Sequence, residues 1–167
     1  MTKLNYTCFK SPFGWVGVVK SDVGISRVNF GHPTEAAAEN HLLNGIQATR
    51  SDSELSEAVE RLTRYFNGEP VDFVLKLDVR AGTEFQRAAW EAARRIPYGE
   101  VRSYSWIAQE IGKPKAVRAV GGAMGANPLP IIVPCHRVLR SDGGLGGYSG
   151  GLHWKPKLLA LERKERK

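Results

Sequence analysis

Cysteine is scarce in this 167-residue chain, which holds only Cys8 and Cys135. Two thiols cannot build a disulfide framework, so a reducing intracellular compartment, the cytoplasm, is expected. Long apolar runs are missing as well. No stretch approaches the roughly 18 residues of a membrane-spanning helix, and residues 1–6 lack the apolar segment of a secretory signal, so no membrane partner is expected. Cys8, Cys135 and the four histidines, His32, His41, His136 and His153, fall at no zinc-ligand spacing; neither a metal nor another cofactor is expected. The glycine-rich stretch at residues 143–151 lacks the Gly-Lys-Ser/Thr ending of a phosphate-binding loop, which excludes nucleoside triphosphates.

What is present in excess is positive charge, and it is unevenly spread. Residues 1–80 carry 9 Lys or Arg against 10 Asp or Glu, whereas residues 81–167 carry 15 against 7. The second half is thus a candidate surface for a polyanion, with nucleic acid the first partner to consider. An ordinary solvated basic face would give the same count. Composition turns basic near residues 79–82, which divides the chain into a scaffold domain, 1–80, and a second domain, 81–167.

The fold expected is α+β. Residues 3–9, 14–20 and 23–30 read as short strands joined by turn residues, an antiparallel meander that a further strand at 73–77 could extend. A helix is expected from Pro33-Thr34-Glu35 to about residue 48, and another from Ser53, with Leu55, Val59, Leu62 and Phe66 at helical spacing and Asn67-Gly68 as its stop. In the second domain Thr83 caps a helix whose core stripe is Phe85, Ala89, Ala92, Ala93 and Ile96. Ser103 caps the next, a short break at residues 112–115 follows, and a helix over 116–125 completes a helix-turn-helix candidate. A last helix is expected from Trp154.

The helix over 116–125 is built from small residues, including Gly121, Gly122 and Gly125. Each glycine weakens a helix by about 1 kcal/mol relative to alanine, so three require a reason. One is close packing against another helix. The other is a slim helix that enters a narrow groove with Arg118 as its charged projection.

The chemistry converges on Pro134-Cys135-His136-Arg137-Val138. Proline stiffens the backbone before Cys135, and a neighbouring imidazole or cation favours the nucleophilic thiolate. An ordinary buried cysteine fits the local sequence as well.

Taken together, Thr83-x-Phe85-Gln86, Ile96-Pro97-Tyr98-Gly99-Glu100, Ser103-Tyr104, the run from Ala116 to Met124, Asn127-Pro128, Pro134-Cys135-His136-Arg137-Val138 and Gly147-Tyr148-Ser149-Gly150-Gly151 resemble the O6-alkylguanine-DNA alkyltransferases, or methylated-DNA–protein-cysteine methyltransferases. The resemblance covers about residues 83–162. It implies that Cys135 irreversibly accepts an alkyl group from O6-alkylguanine in double-stranded DNA, once per molecule, with Glu162 orienting His136 and His136 acting through water on Cys135. It implies that Tyr104 serves guanine N3, that Ser149 serves O6, that Tyr148 and Pro130 wall the pocket, and that the carbonyls of Cys135 and Val138 receive the amino group. Met124, Gly146 and Gly150 would complete the pocket, and Asn127 would be a hinge. Arg118 would fill the stack when the damaged nucleotide flips out. Ala119, Gly121, Gly122, Thr83, Tyr104, Lys115 and Arg137 would line the DNA. A monomer is implied, with cooperative loading on DNA left open.

Three other readings stay open at this point. They are a non-catalytic binder of alkylated DNA, a cysteine hydrolase using Cys135 and His136, and a helix-turn-helix transcription factor. Adjacent residues in extended backbone point to opposite sides, which makes the hydrolase dyad awkward.

Overall fold

A computed structural model of the chain describes residues 3–146 and 153–164. The chain divides into two compact units, Met1–Val79 and Arg80–Lys167.

Alternating apolar residues build the sheet of the first unit. Strands β1 (Asn5–Ser11), β2 (Gly14–Lys20) and β3 (Ile25–His32) form an antiparallel meander, with Tyr6 opposite Val19 and Val18 opposite Val28. Gly14 makes the first turn with φ +86°, where a Cβ would meet the His32 carbonyl at 2.9 Å. Helix α1 (Glu35–Leu42) starts at Thr34, whose hydroxyl accepts the Ala37 amide. Its Ala38 and Leu42 pack with Tyr6, Cys8 and Val19. Gly17 allows that approach, since a Cβ there would lie 2.9 Å from Leu42 Cδ2. Helix α2 (Ser56–Phe66) sets Phe66 against the rings of Phe13 and Phe30.

Three expectations for this unit need correction. Helix α1 ends at Leu42, not near residue 48, because Asn44 and Gly45 (φ +78°) turn the chain. The released segment supplies β4 (Thr49–Arg50), which pairs parallel with β1 and makes the sheet mixed, in the order β3-β2-β1-β4. Residues 73–77 do not form a strand. The amides of Val74 and Leu75 bond carbonyls two residues back, so the backbone kinks, and only Leu77 makes an isolated bridge, to Ile25.

The second unit is mainly helical. Thr83 and Gln86 form a reciprocal capping box at the start of α3 (Glu84–Arg94), with both bonds at 3.0 Å. Ser103 caps α4 (Tyr104–Glu110) by accepting the Trp106 amide. Gly112, at φ +74°, lets the chain turn into α5 (Val117–Gly125). Helix α3 packs on both, and Trp90 Nε1 donates to the Ala123 carbonyl at 2.7 Å.

A feature invisible in the sequence then positions the chemistry. Strand β5 (Arg102–Ser103) pairs parallel with β6 (Val138–Leu139), fixing Tyr104 beside the chain that follows Cys135. Helix α6 (Trp154–Lys164) packs against the same turn. No helix among the described residues is long and apolar enough to cross a membrane.

Because α3 supports α5 from a capped start, Thr83→Ala is expected to cost about 1 kcal/mol. That corresponds to a melting temperature lower by about 2–4 °C. An unchanged thermal melt would show that the cap contributes nothing.

Candidate active site

The segment before the cysteine is buried and coiled tightly. Leu129, Ile131, Ile132 and Val133 are all buried, and the Val133 amide bonds the Leu129 carbonyl at 2.8 Å. Ile131 has φ +78°, a conformation costly for a β-branched residue. Asn127, at the exit of α5, holds this loop closed. Its Oδ1 accepts the Leu129 amide at 2.9 Å, and its Nδ2 donates to the Val133 carbonyl at 2.9 Å and to Cys135 Sγ at 3.2 Å. The proposed hinge therefore also touches the sulfur.

Cys135, His136 and Arg137 form one turn of 3₁₀ helix. The extended backbone invoked against a Cys135–His136 dyad is not what forms. The imidazole is instead committed elsewhere: His136 Nε2 lies 2.6 Å from Glu162 Oε2, with both side chains buried. Glu162 also accepts Arg137 Nε at 2.9 Å, Arg137 Nη2 at 3.1 Å and the Gly99 amide at 3.0 Å. Burial would raise the pKa of this carboxyl, but the hydrogen bond from His136 and the bonds and charge of Arg137 hold it well below the usual carboxylate range. For His136, burial dominates and lowers the pKa; Glu162 opposes that, while Arg137 and Lys155 add to it. Burial pushes the Cys135 thiol up, against the pull of Asn127, Lys155 and the backbone amides of Cys135 and His136. At rest, the arrangement holds a thiol, a neutral imidazole and a carboxylate.

Lys155, a residue that no motif singles out, joins this group. It is fully buried on α6, donating from Nζ to the Val138 carbonyl at 2.7 Å and to the Tyr104 hydroxyl at 3.4 Å. Burial draws its pKa down to about 8, with Cys135 acting in the opposite direction. Burial and Cys135 raise that of Tyr104. A signal for Lys155 was available: Lys155, Leu158 and Glu162 recur at helical spacing on one face of α6, and all three are buried.

Other anticipated residues divide into groups. Pro130, Met124 and Val138 are buried, and Met124 offers its carbonyl to the Asn127 amide at 3.3 Å. Gly146, at φ +68°, passes so close to Tyr104 that a Cβ would lie 2.6 Å from the hydroxyl. Tyr148, Ser149 and Gly150 lie outside the described residues. Thr83, Lys115, Arg118, Ala119 and Gly122 are exposed, and Gly121 is half-buried. A Cβ at Gly121, Gly122 or Gly125 would meet nothing within 4 Å, so close helix packing does not explain these glycines. Arg137 is a correction. It was expected on the DNA, but it is 6% exposed and its guanidinium is held by Glu162 and by the Ile96 carbonyl, the latter at 2.7 Å. A side chain so enclosed does not present its charge to a phosphate. Among the described residues no three His, Cys, Asp or Glu side chains are grouped to hold a metal.

Residues 84–164 match the 6-O-methylguanine DNA methyltransferase DNA-binding domain, and residues 4–79 match the ribonuclease-like domain of the same family. A methylated-DNA–protein-cysteine methyltransferase of Methanosarcina acetivorans is 43% identical over 157 residues, 94% of this chain and 97% of its own. One from Mycolicibacterium paratuberculosis is 54% identical over 116 residues, 70% of either chain. The match to a Mycobacterium bovis relative spans 65% of either chain at 55% identity. The crystal structure of Mycobacterium tuberculosis OGT in complex with DNA superposes with a TM-score of 0.82 at 41% identity, covering 96% of this chain and 93% of that one.

The lysine gives a test with a definite sign. Its folded pKa, about 8, lies below the unfolded value of about 10.4. Between those values the unfolded chain binds more protons, so raising the pH through this window favours the folded state. Denaturant unfolding at pH 8 and pH 10 should show the wild type gaining stability relative to Lys155→Met. Parallel pH dependences would mean that Lys155 titrates normally.

Proposed function

The chain belongs to the O6-methylguanine DNA methyltransferases, and we propose that it repairs DNA by moving the alkyl group of O6-alkylguanine onto Cys135 with the residues just described. The observation that carries this reading is the buried His136–Glu162 pair, at 2.6 Å, on the same turn as a buried Cys135 whose sulfur is held by Asn127.

The reaction follows from the charge states. His136 uses the ring nitrogen not bonded to Glu162, Nδ1, to take the thiol proton through a bridging water. The imidazolium that forms is stabilised by Glu162. The Sγ electron pair attacks the alkyl carbon, the carbon–O6 bond breaks, and its electrons pass into the purine. The Tyr104 hydroxyl delivers a proton to N3, and Lys155 Nζ stabilises the tyrosinate left behind. The products are guanine and a thioether. A thioether is not readily hydrolysed, so each molecule reacts once and no cofactor is consumed. Ser149 and Tyr148 complete the contacts to O6 and the base.

Reaching a stacked base requires extruding it, which costs a few kcal/mol, least for a damaged pair. The exposed glycine and alanine face of α5 suits entry into the minor groove, with Arg118 standing in for the displaced base. Base-independent contacts suit a protein that scans all DNA as a monomer, and we place it in the cytoplasm with that DNA. Lys115 and Thr83 supply exposed contacts for phosphate, so affinity falls with salt.

Mixing the protein with duplex DNA containing O6-methylguanine should add one methyl increment to the Cys135 peptide by mass spectrometry. Cys135→Ala should show none. Tight binding to the lesion with no adduct would favour the non-catalytic damage binder. Because Cys135 is only 2% exposed, the added methyl overpacks its surroundings and should destabilise the protein by about 1–3 kcal/mol. Equal melting temperatures before and after reaction would refute that part.

A further inference from the structure

Arg137 sits in the basic half of the chain, next to the acceptor cysteine, where charge alone assigns it to DNA. Its surroundings point inward. The Nε and Nη2 edge of its guanidinium spans both oxygens of Glu162, at 2.9 and 3.1 Å. Nη1 is anchored on the Ile96 carbonyl, and the group lies 5.7 Å from the Tyr98 ring centroid. A planar fork meeting a carboxylate along two parallel bonds fixes its plane as well as its position, which a lysine ammonium cannot do.

We propose that Arg137 is a positioning residue for alkyl transfer: by clamping Glu162, it keeps His136 a neutral imidazole in the tautomer whose Nδ1 accepts the thiol proton. This rests on the reaction assigned above. A buried carboxylate facing an imidazole alone would draw a proton onto it, and an imidazolium cannot serve as the base for a thiol. The charge of Arg137 offsets that pull. With Nε2–H donating to Glu162, the lone pair is left on Nδ1. The charged and titratable groups acting on the ring are Glu162 and Lys155 from α6 and Arg137 from its own turn, and both cations oppose its protonation.

The test is the pH dependence of single-turnover methyl transfer between about pH 5.5 and 8.5. Wild type should stay fast below the ordinary histidine pKa of about 6.5. In Arg137→Met the acid limb should move to higher pH, so that the rate at pH 6 falls about tenfold relative to the plateau when the limb is centred near pH 7. Arg137→Lys, which keeps the charge without the fork, should move it less. A role confined to structure would lower the rate equally at every pH and leave the acid limb unmoved in both variants, which would overturn the proposal. DNA affinity and its salt slope should match wild type, unlike those of Arg118→Ala. Weaker DNA binding with a reduced salt slope and an unmoved acid limb would overturn the proposal in favour of a phosphate contact. Should these variants fail to fold, nitrogen NMR of wild-type His136 decides. A neutral Nε2–H ring at pH 7 supports the proposal, and an imidazolium refutes it. Absence of any methyl on wild-type Cys135 would instead refute the reaction itself.

Discussion

A carboxylate removed from water is among the most costly groups a protein can bury, and Glu162 is 1% exposed. Its cost is offset where Arg137, His136 and the Gly99 amide meet it with good geometry. Glu162 itself is on α6, and its partners come from the cysteine turn and the loop after α3, so three parts of the chain meet. The arrangement therefore joins those elements at the point where the chemistry occurs. Removing one partner leaves an uncompensated charge, so structural and chemical demands coincide there.

The second constraint is the loop between α5 and the cysteine. Ile131 adopts a left-handed conformation that a branched side chain avoids, and it persists because the surroundings over-determine it. Asn127 supplies much of that determination by bonding both limbs of the loop. The same amide reaches the sulfur. Helix α5, whose outer face is expected to meet DNA, thereby ends in the group that touches the nucleophile. A shift at the helix exit would be felt at the thiol without any intervening flexible segment.

Several features were legible because their causes are local. The Thr83–Gln86 box, the Ser103 cap and the Gly112 turn each depend on residues within a few positions. The alternating strands of the meander were readable for the same reason. The strand expected at 73–77 failed where consecutive tight turns overrode β-branched composition. Strands β4 and β6 were not readable, because two-residue strands have no periodicity and exist only through their partners.

The sequence by itself determined the inventory and order of reactive groups: a Pro-Cys-His-Arg run, a glycine-rich helix bearing Arg118, and a glutamate in the last helix. That order was specific enough to identify the family. It did not determine what each charge does. Arg137 read as a DNA ligand and Lys155 as nothing at all. Tertiary structure decided otherwise, because ionisation depends on desolvation and on partners distant along the chain. His136 meets Glu162 across 26 residues, and Gly99 meets it across 63. Once water is excluded, those meetings determine which groups stay charged and which can accept a proton.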